Sequence, residues 1–176
     1  MSEFSINEAF GLSESAEDFK NRAANFFLNC KEAPGGCEIK KHEGTTQLYG
    51  VAYRVVSPRD SSTGLATGRR IHEPLEVAGR ADKASPKLFQ FCAENKNLAT
   101  VKIEYWSAVT KALTKAGEGT MNTYNIELKN AVVCDFRHFT NLDGTLCFIA
   151  AFTFAEITLT WVNGGVTGSD QWLSAT

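Results

Sequence analysis

The chain has 176 residues, 43% of them hydrophobic and 22% charged, enough for one domain with a sizeable core and short for two. Its 18 basic and 20 acidic residues leave a formal charge of −2, so no basic excess asks for nucleic acid or anionic lipid, and the pairs Lys40-Lys41 and Arg69-Arg70 read as solvated surface. The N-terminal stretch is acidic and has no apolar signal-peptide core. The longest apolar run, Leu146–Phe152, is too short to span a bilayer. These features predict a cytoplasmic protein without membrane insertion, exported, if at all, by a machine that reads no signal peptide.

Residues 1–22 carry frequent Asp and Glu and no strand signal. Ser15-Ala16-Glu17-Asp18 resembles a helix-start box, and a helix from about Ala16 to Asn25 places Phe19, Ala23 and Phe26 on one face. This segment is expected to be an N-terminal helical extension, with residues 23–176 forming the main domain.

From Ala24 the pattern turns to short strands. Ala24–Cys30 is the first, closed by a turn at Ala33-Pro34-Gly35-Gly36. Gln47–Ser57 is the second, with Gly50 marking a bulge or bend. Pro58–Pro74 is a long polar connection, of the kind that is usually functional in a compact domain. Leu75–Gly79 is a short strand. Ser85-Pro86 reads as an N-cap with proline in the first helical position. Leu88, Phe91 and Cys92 then share one face of a short helix that stops at Asn95. Thr100–Trp106, Thr123–Leu128, Ala131–Phe139, Thr145–Phe154 and a last strand through Ile157, Leu159 and Trp161 follow, and Gly164-Gly165 closes the series.

The fold class expected is mainly β: a small antiparallel β-barrel of two sheets with one short flanking α-helix. Alternation puts one face of each strand inside. Leu146–Ile149 breaks the rule, because Cys147 and Ile149 make the outer face apolar too. That face is expected to meet the extension, through Phe19 and Phe26, or another subunit.

Little in the chain points to catalysis. His42, His72 and His138 are far apart, outside any metal-ligand spacing, and read as surface or hydrogen-bonding residues. No nucleophile elbow, phosphate loop or dinucleotide fingerprint occurs, and Gly117-Glu118-Gly119 reads as turn chemistry. Asp143-Gly144 is a hairpin signal, and nothing in the sequence brings Asp143 to Asp135 as an acid–base pair. The five cysteines, Cys30, Cys37, Cys92, Cys134 and Cys147, form no CxxC pair and read as reduced, largely core thiols, with a Cys30–Cys37 disulfide as the alternative. The expectation is no enzyme, no cofactor and no metal. One polar cluster invites a binding role: Arg59, Asp60, Arg69, Arg70, His72 and Glu73, in a loop suited to reach a neighbouring subunit.

The ordered series of motifs resembles the haemolysin-coregulated protein (Hcp) family of type VI secretion. Thr67-Gly68, Arg69/Arg70, His72 and Pro74 match that family's loop ending, and Asp82-Lys83, Ser85-Pro86 and Leu88 match the opening of its single helix. Tyr124–Val133, Phe154–Gly165 and Ser169-Asp170-Gln171-Trp172 are similar to its later segments, so the resemblance covers roughly residues 24–173. It implies a structural subunit of the secretion tail tube, a homo-oligomer of stacked hexameric rings, with a contractile sheath, a spike protein and effector proteins as partners. It also implies that the loop near Pro58–Pro74 contacts a neighbouring subunit or ring. Residues 1–22 and the apolar run LCFIAAFTF depart from the family pattern. They leave open a specialised Hcp-like variant, an effector carrier or adaptor with altered or blocked ring stacking. An unrelated ligand-binding barrel or enzyme would need a convergent polar pocket that the sequence does not provide.

Overall fold

The computed structural model describes residues 26–108, 120–141 and 144–173. The expected helix near 16–25, the Gly117–Gly119 turn and Asp143 lie outside the described residues.

Ten strands and one helix account for the described chain: β1 (Phe26–Cys30), β2 (Thr46–Ala52), β3 (Val55–Val56), β4 (Ile71–His72), β5 (Leu75–Arg80), α1 (Ser85–Glu94), β6 (Asn97–Ala108), β7 (Thr120–Thr140), β8 (Leu146–Thr153), β9 (Glu156–Trp161) and β10 (Val166–Gln171). Eight strands run in the order β10-β9-β7-β6-β1-β2-β5-β8, and β8 returns to pair with β7, closing a six-stranded antiparallel barrel. β9 and β10 extend the sheet beyond the barrel, and β3–β4 form a second, two-stranded sheet. Among the described residues, the mainly β architecture with one helix beside a small barrel is as the sequence predicts.

The barrel interior is filled by Leu28, Leu48, Leu75, Val77, Val101, Ile103, Leu128, Val133, Phe148 and Phe152, all at most 2% exposed. These are the alternate residues of their strands, as a closed sheet requires. α1 adds Leu88 and Phe91 to this core, and Asn95 ends it in the left-handed conformation. The helix start differs from expectation by one position. Ala84 is the N-cap and gives no side-chain cap; the turn before α1 is held by Ala84 N–H donating to Asp82 Oδ1 (2.9 Å), Ser85 N–H donating to Asp82 O (3.1 Å) and Asp82 N–H donating to Ser85 Oγ (3.1 Å).

The two expected strands Thr123–Leu128 and Ala131–Phe139 are one 21-residue strand, β7, because its two halves serve different neighbours. Its first half pairs with β6 and β9, and its second half with β8. Asn130 takes a positive φ of 49° near the handover. The register with β8 shifts between Val133 and Asp135, so the inward face passes from Val133 to Phe136, which stacks on Phe148 with ring centroids 6.0 Å apart. The bulge turns Cys134 out to solvent, and Cys37 and Cys92 are only half-buried, which leaves Cys30 and Cys147 as the buried thiols. All five cysteines are free. The bulge expected at Gly50 is present as a register shift between Leu48 and Gly50 against β5.

β10 lies beyond the point where the sequence reading ends the strands. Its residues, VTGSDQ, are nearly all exposed, because an edge strand outside the barrel has no core face to advertise.

Candidate functional site

The long polar connection is an arm rather than a structureless loop. Its root is the β3–β4 ladder, with Val55 opposite His72 and Val56 opposite Ile71. An Arg59–Ala66 bridge continues the pairing outward. The tip is organised by one carboxylate. Asp60 Oδ1 accepts from the Ser62 hydroxyl (2.6 Å), the Thr63 N–H (2.8 Å), the Ser62 N–H (3.0 Å) and the Thr63 hydroxyl (3.0 Å). Those donors hold the Asp60 pKa down to about 2. Gly64 follows at a φ of +71°, and Leu65 beside it is 69% exposed. The tip is therefore a preformed turn that offers an apolar side chain to solvent.

The root is fixed by a cluster that joins the arm to the C-terminal strand. The Arg70 guanidinium grips both carboxylate oxygens of Asp170 through Nε and Nη2, and Nη2 also donates to Gln171 O (3.2 Å). His72 has its side chain 1% exposed. Its Nδ1 lies 2.6 Å from the Tyr53 hydroxyl. Its Nε2 lies 3.2 Å from Asp170 Oδ2 but is poorly aligned for a hydrogen bond, so the contact is electrostatic. Trp172 stacks on His72 at 5.8 Å, and Phe154 closes the box with an edge contact to each ring. Burial, then the Asp170 charge, push the Tyr53 hydroxyl pKa up against a smaller lowering by Arg70, keeping the hydroxyl protonated. Burial alone would raise the Asp170 pKa, but the Arg70 and Gln171 hydrogen bonds and the positive charge nearby bring it below the usual carboxylate range.

The six loop residues singled out by sequence thus fall into two groups. Arg59, Asp60 and Arg69 lie along the outer arm, Arg59 donating to Gly64 O (3.2 Å) and Arg69 exposed. Arg70 and His72 face inward to the C-terminal strand of the same chain, and Glu73 pairs with Arg54 at 2.6 Å. Tyr53, Asp170 and Trp172 are the partners the loop reading lacked. Only the isolated Ser169–Trp172 motif hinted at two of them.

The expected docking face also divides. Ile149 packs with Ala78, Ala52 and Phe139 on the outward side of β8, and Cys147 is fully buried. Phe26 instead belongs to β1 and packs against the main core, 4.7 Å from the Tyr105 ring. Phe19 lies outside the described residues.

Of the three histidines expected to be surface or hydrogen-bonding residues, His138 is exposed, His72 is buried and hydrogen-bonded to Tyr53, and His42 is buried. His42 is stacked on Phe27 at 3.7 Å with the Trp106 edge at 4.6 Å. An open hollow of about 720 Å³ adjoins Trp172, lined by Asn97, Lys129, Phe154, Glu156, Gln171 and others. Its Lys129 and Glu156 neutralise each other at 2.7 Å, so it holds no convergent set of reactive groups. Among the described residues no group of His, Cys, Asp or Glu is placed to hold a metal ion, and no helix is long and apolar enough to cross a membrane.

A small antiparallel barrel with a flanking helix is the fold of a known class. The family described as "Type VI secretion system effector, Hcp" matches residues 27–161. The "Major exported protein" of Pseudomonas aeruginosa is 28% identical over 156 residues, covering 82% of this chain and 84% of that one. Among solved structures, Hcp1 of Escherichia coli EAEC 042 superposes with a TM-score of 0.75 at 22% identity, covering 86% of this chain and 100% of that one. Hcp3 of Pseudomonas aeruginosa gives 0.66 at 22% identity, covering 85% and 97%. The chain belongs to the Hcp family of type VI secretion proteins.

Proposed function

We propose that this protein is a structural subunit of the type VI secretion tail tube. Protomers join head to tail into hexameric rings, and the rings stack into a tube that is expelled by a contractile sheath behind a spike protein, with effectors carried in the lumen. The observation that carries this reading is the ordered arm: a preformed tip with Leu65 exposed, rooted on a barrel of this family. Heterologous contacts that close by rotation give rings, and an arm outside the barrel supplies a contact along the stack. Such a role needs shape and interfaces rather than reacting groups. The protein is exported by the type VI machine itself.

Light scattering coupled to size exclusion, followed by electron microscopy, tests the reading. A mass near six protomers with end-to-end stacks supports it, and a monomer at every concentration overturns it. Arg59→Glu with Arg69→Glu is the arm test, since both side chains lie away from the root cluster. Folded rings that no longer stack are the expected product.

A second reading is favoured by the apolar outward face of β8, where Cys147 and Ile149 are buried. In it, residues 1–22, Phe19 among them, cover that face and limit stacking, making the chain an effector carrier or adaptor. Deleting residues 1–22 then lengthens stacks. Unchanged assembly removes this reading.

A further inference from the structure

We propose that the arm and the edge strand β10 are energetically coupled through Arg70, His72 and Asp170, so that whatever orders β10 also sets the pose of the arm. The β3–β4 ladder has two residues in each strand, too few to hold a direction by itself. The Asp60 turn organises only the tip. The pose of the arm therefore depends on its root. There Tyr53 holds His72 Nδ1 at 2.6 Å and Arg54 holds Glu73, while the contacts to the C-terminal segment are those of Arg70 with Asp170 and Gln171 O and of His72 with Trp172.

The dependence runs both ways. In the described chain β10 pairs on one side only, with β9. Beyond β9, the end of β10 is held by the arm root and by the Trp172 N–H bond to Ala155 O (3.0 Å). The arm and the strand end thus each draw part of their support from the other. Linkage then requires reciprocity: the factor by which an ordered β10 favours the ordered arm equals the factor by which an ordered arm favours an ordered β10. Resting on the proposed function, the consequence is that lateral contacts which order β10 within a ring preset the arm for the next ring.

Hydrogen exchange on the full chain, read by mass spectrometry, tests the coupling in wild type, Arg70→Ala, Asp170→Ala and the swap Arg70→Asp/Asp170→Arg. Each single variant is expected to speed exchange about tenfold in both segments, the amides of 55–73 and those of 169–172, while α1 and β8 stay at wild-type rates. The swap is expected to recover most of the protection in both. Loosening of one segment with the other at wild-type protection, or no change in either, overturns the proposal. Electron microscopy of the same variants separates it from the tube reading. Coupled loosening with stacking intact keeps the coupling and removes the arm from stacking. Uncoupled exchange, with stacking still abolished by the Arg59 and Arg69 changes, removes the coupling and keeps the arm.

Discussion

Asp82 reaches Gly36 across 46 positions: its Oδ2 accepts the Gly36 N–H at 2.8 Å and the Thr46 hydroxyl at 3.1 Å, while Oδ1 accepts the Ala84 N–H. One carboxylate thus ties the turn before α1 to the 31–45 loop and to β2. Asp82→Ala removes one local and two long-range hydrogen bonds together. It is expected to cost about 2–3 kcal/mol, read as a lowered urea midpoint. Asp82→Asn, which keeps acceptor capacity at the same place, should recover part of that loss.

Gly79 sits in the barrel wall where an added Cβ would meet Gln47 O at 2.8 Å and the Phe148 ring at 3.1 Å. The backbone oxygen belongs to the β1–β2 side of the sheet and has little room to give. Gly79→Ala is expected to destabilise by about 1–3 kcal/mol in chemical denaturation, whereas Gly168→Ala, with nothing within 4 Å of its added Cβ, should be close to neutral.

Phe148 is fully buried and stacks on Phe136 beyond the β7 bulge. Truncation to alanine leaves a cavity at the junction of β5, β7 and β8, so a loss of about 3–5 kcal/mol is expected from the urea midpoint. Phe89, 59% exposed on α1, should tolerate the same truncation far better.

The acid response of the arm has a definite sign. Asp60 titrates at about 2 in the folded protein, below the usual value of about 3.9 for an unfolded chain. Its contribution is therefore present above about pH 4 and is lost as pH falls toward 2. Asp170, also lowered, acts in the same direction. NMR titration should show the Ser62 and Thr63 amides holding their shifts to near pH 2 in wild type, with Asp60→Asn showing no such transition.

Cys134 is the exposed thiol, and Cys30 and Cys147 are buried. A thiol reagent on the native protein is expected to modify Cys134 well ahead of those two, with all five reacting after denaturation. Although the residue is exposed, its sulfur lies 3.4 Å from Ala151 O, and this partial burial is the first cause raising the Cys134 pKa above its ordinary value, so its rate should keep climbing as pH passes about 9.

What the sequence by itself determined is whatever repeats locally. Alternation through Val101 and Ile103 and through Ile126 and Leu128 marked strands, Leu88 and Phe91 marked α1, and Gly50 marked a bulge, because each signal comes from neighbours two to four positions apart. Only the tertiary structure decided the rest. It joined two expected strands into β7, since a strand that changes partners keeps no single inward face. It revealed β10, whose polar edge residues carry no burial pattern. It turned the six-residue loop cluster into an exposed arm and an inward root, because Arg70 and Asp170 are 100 positions apart and an ion pair at that separation leaves no trace in local periodicity. His72 was legible as a motif residue, but its burial against Tyr53 and Trp172 depends on three segments meeting, and only the closed barrel brings them together.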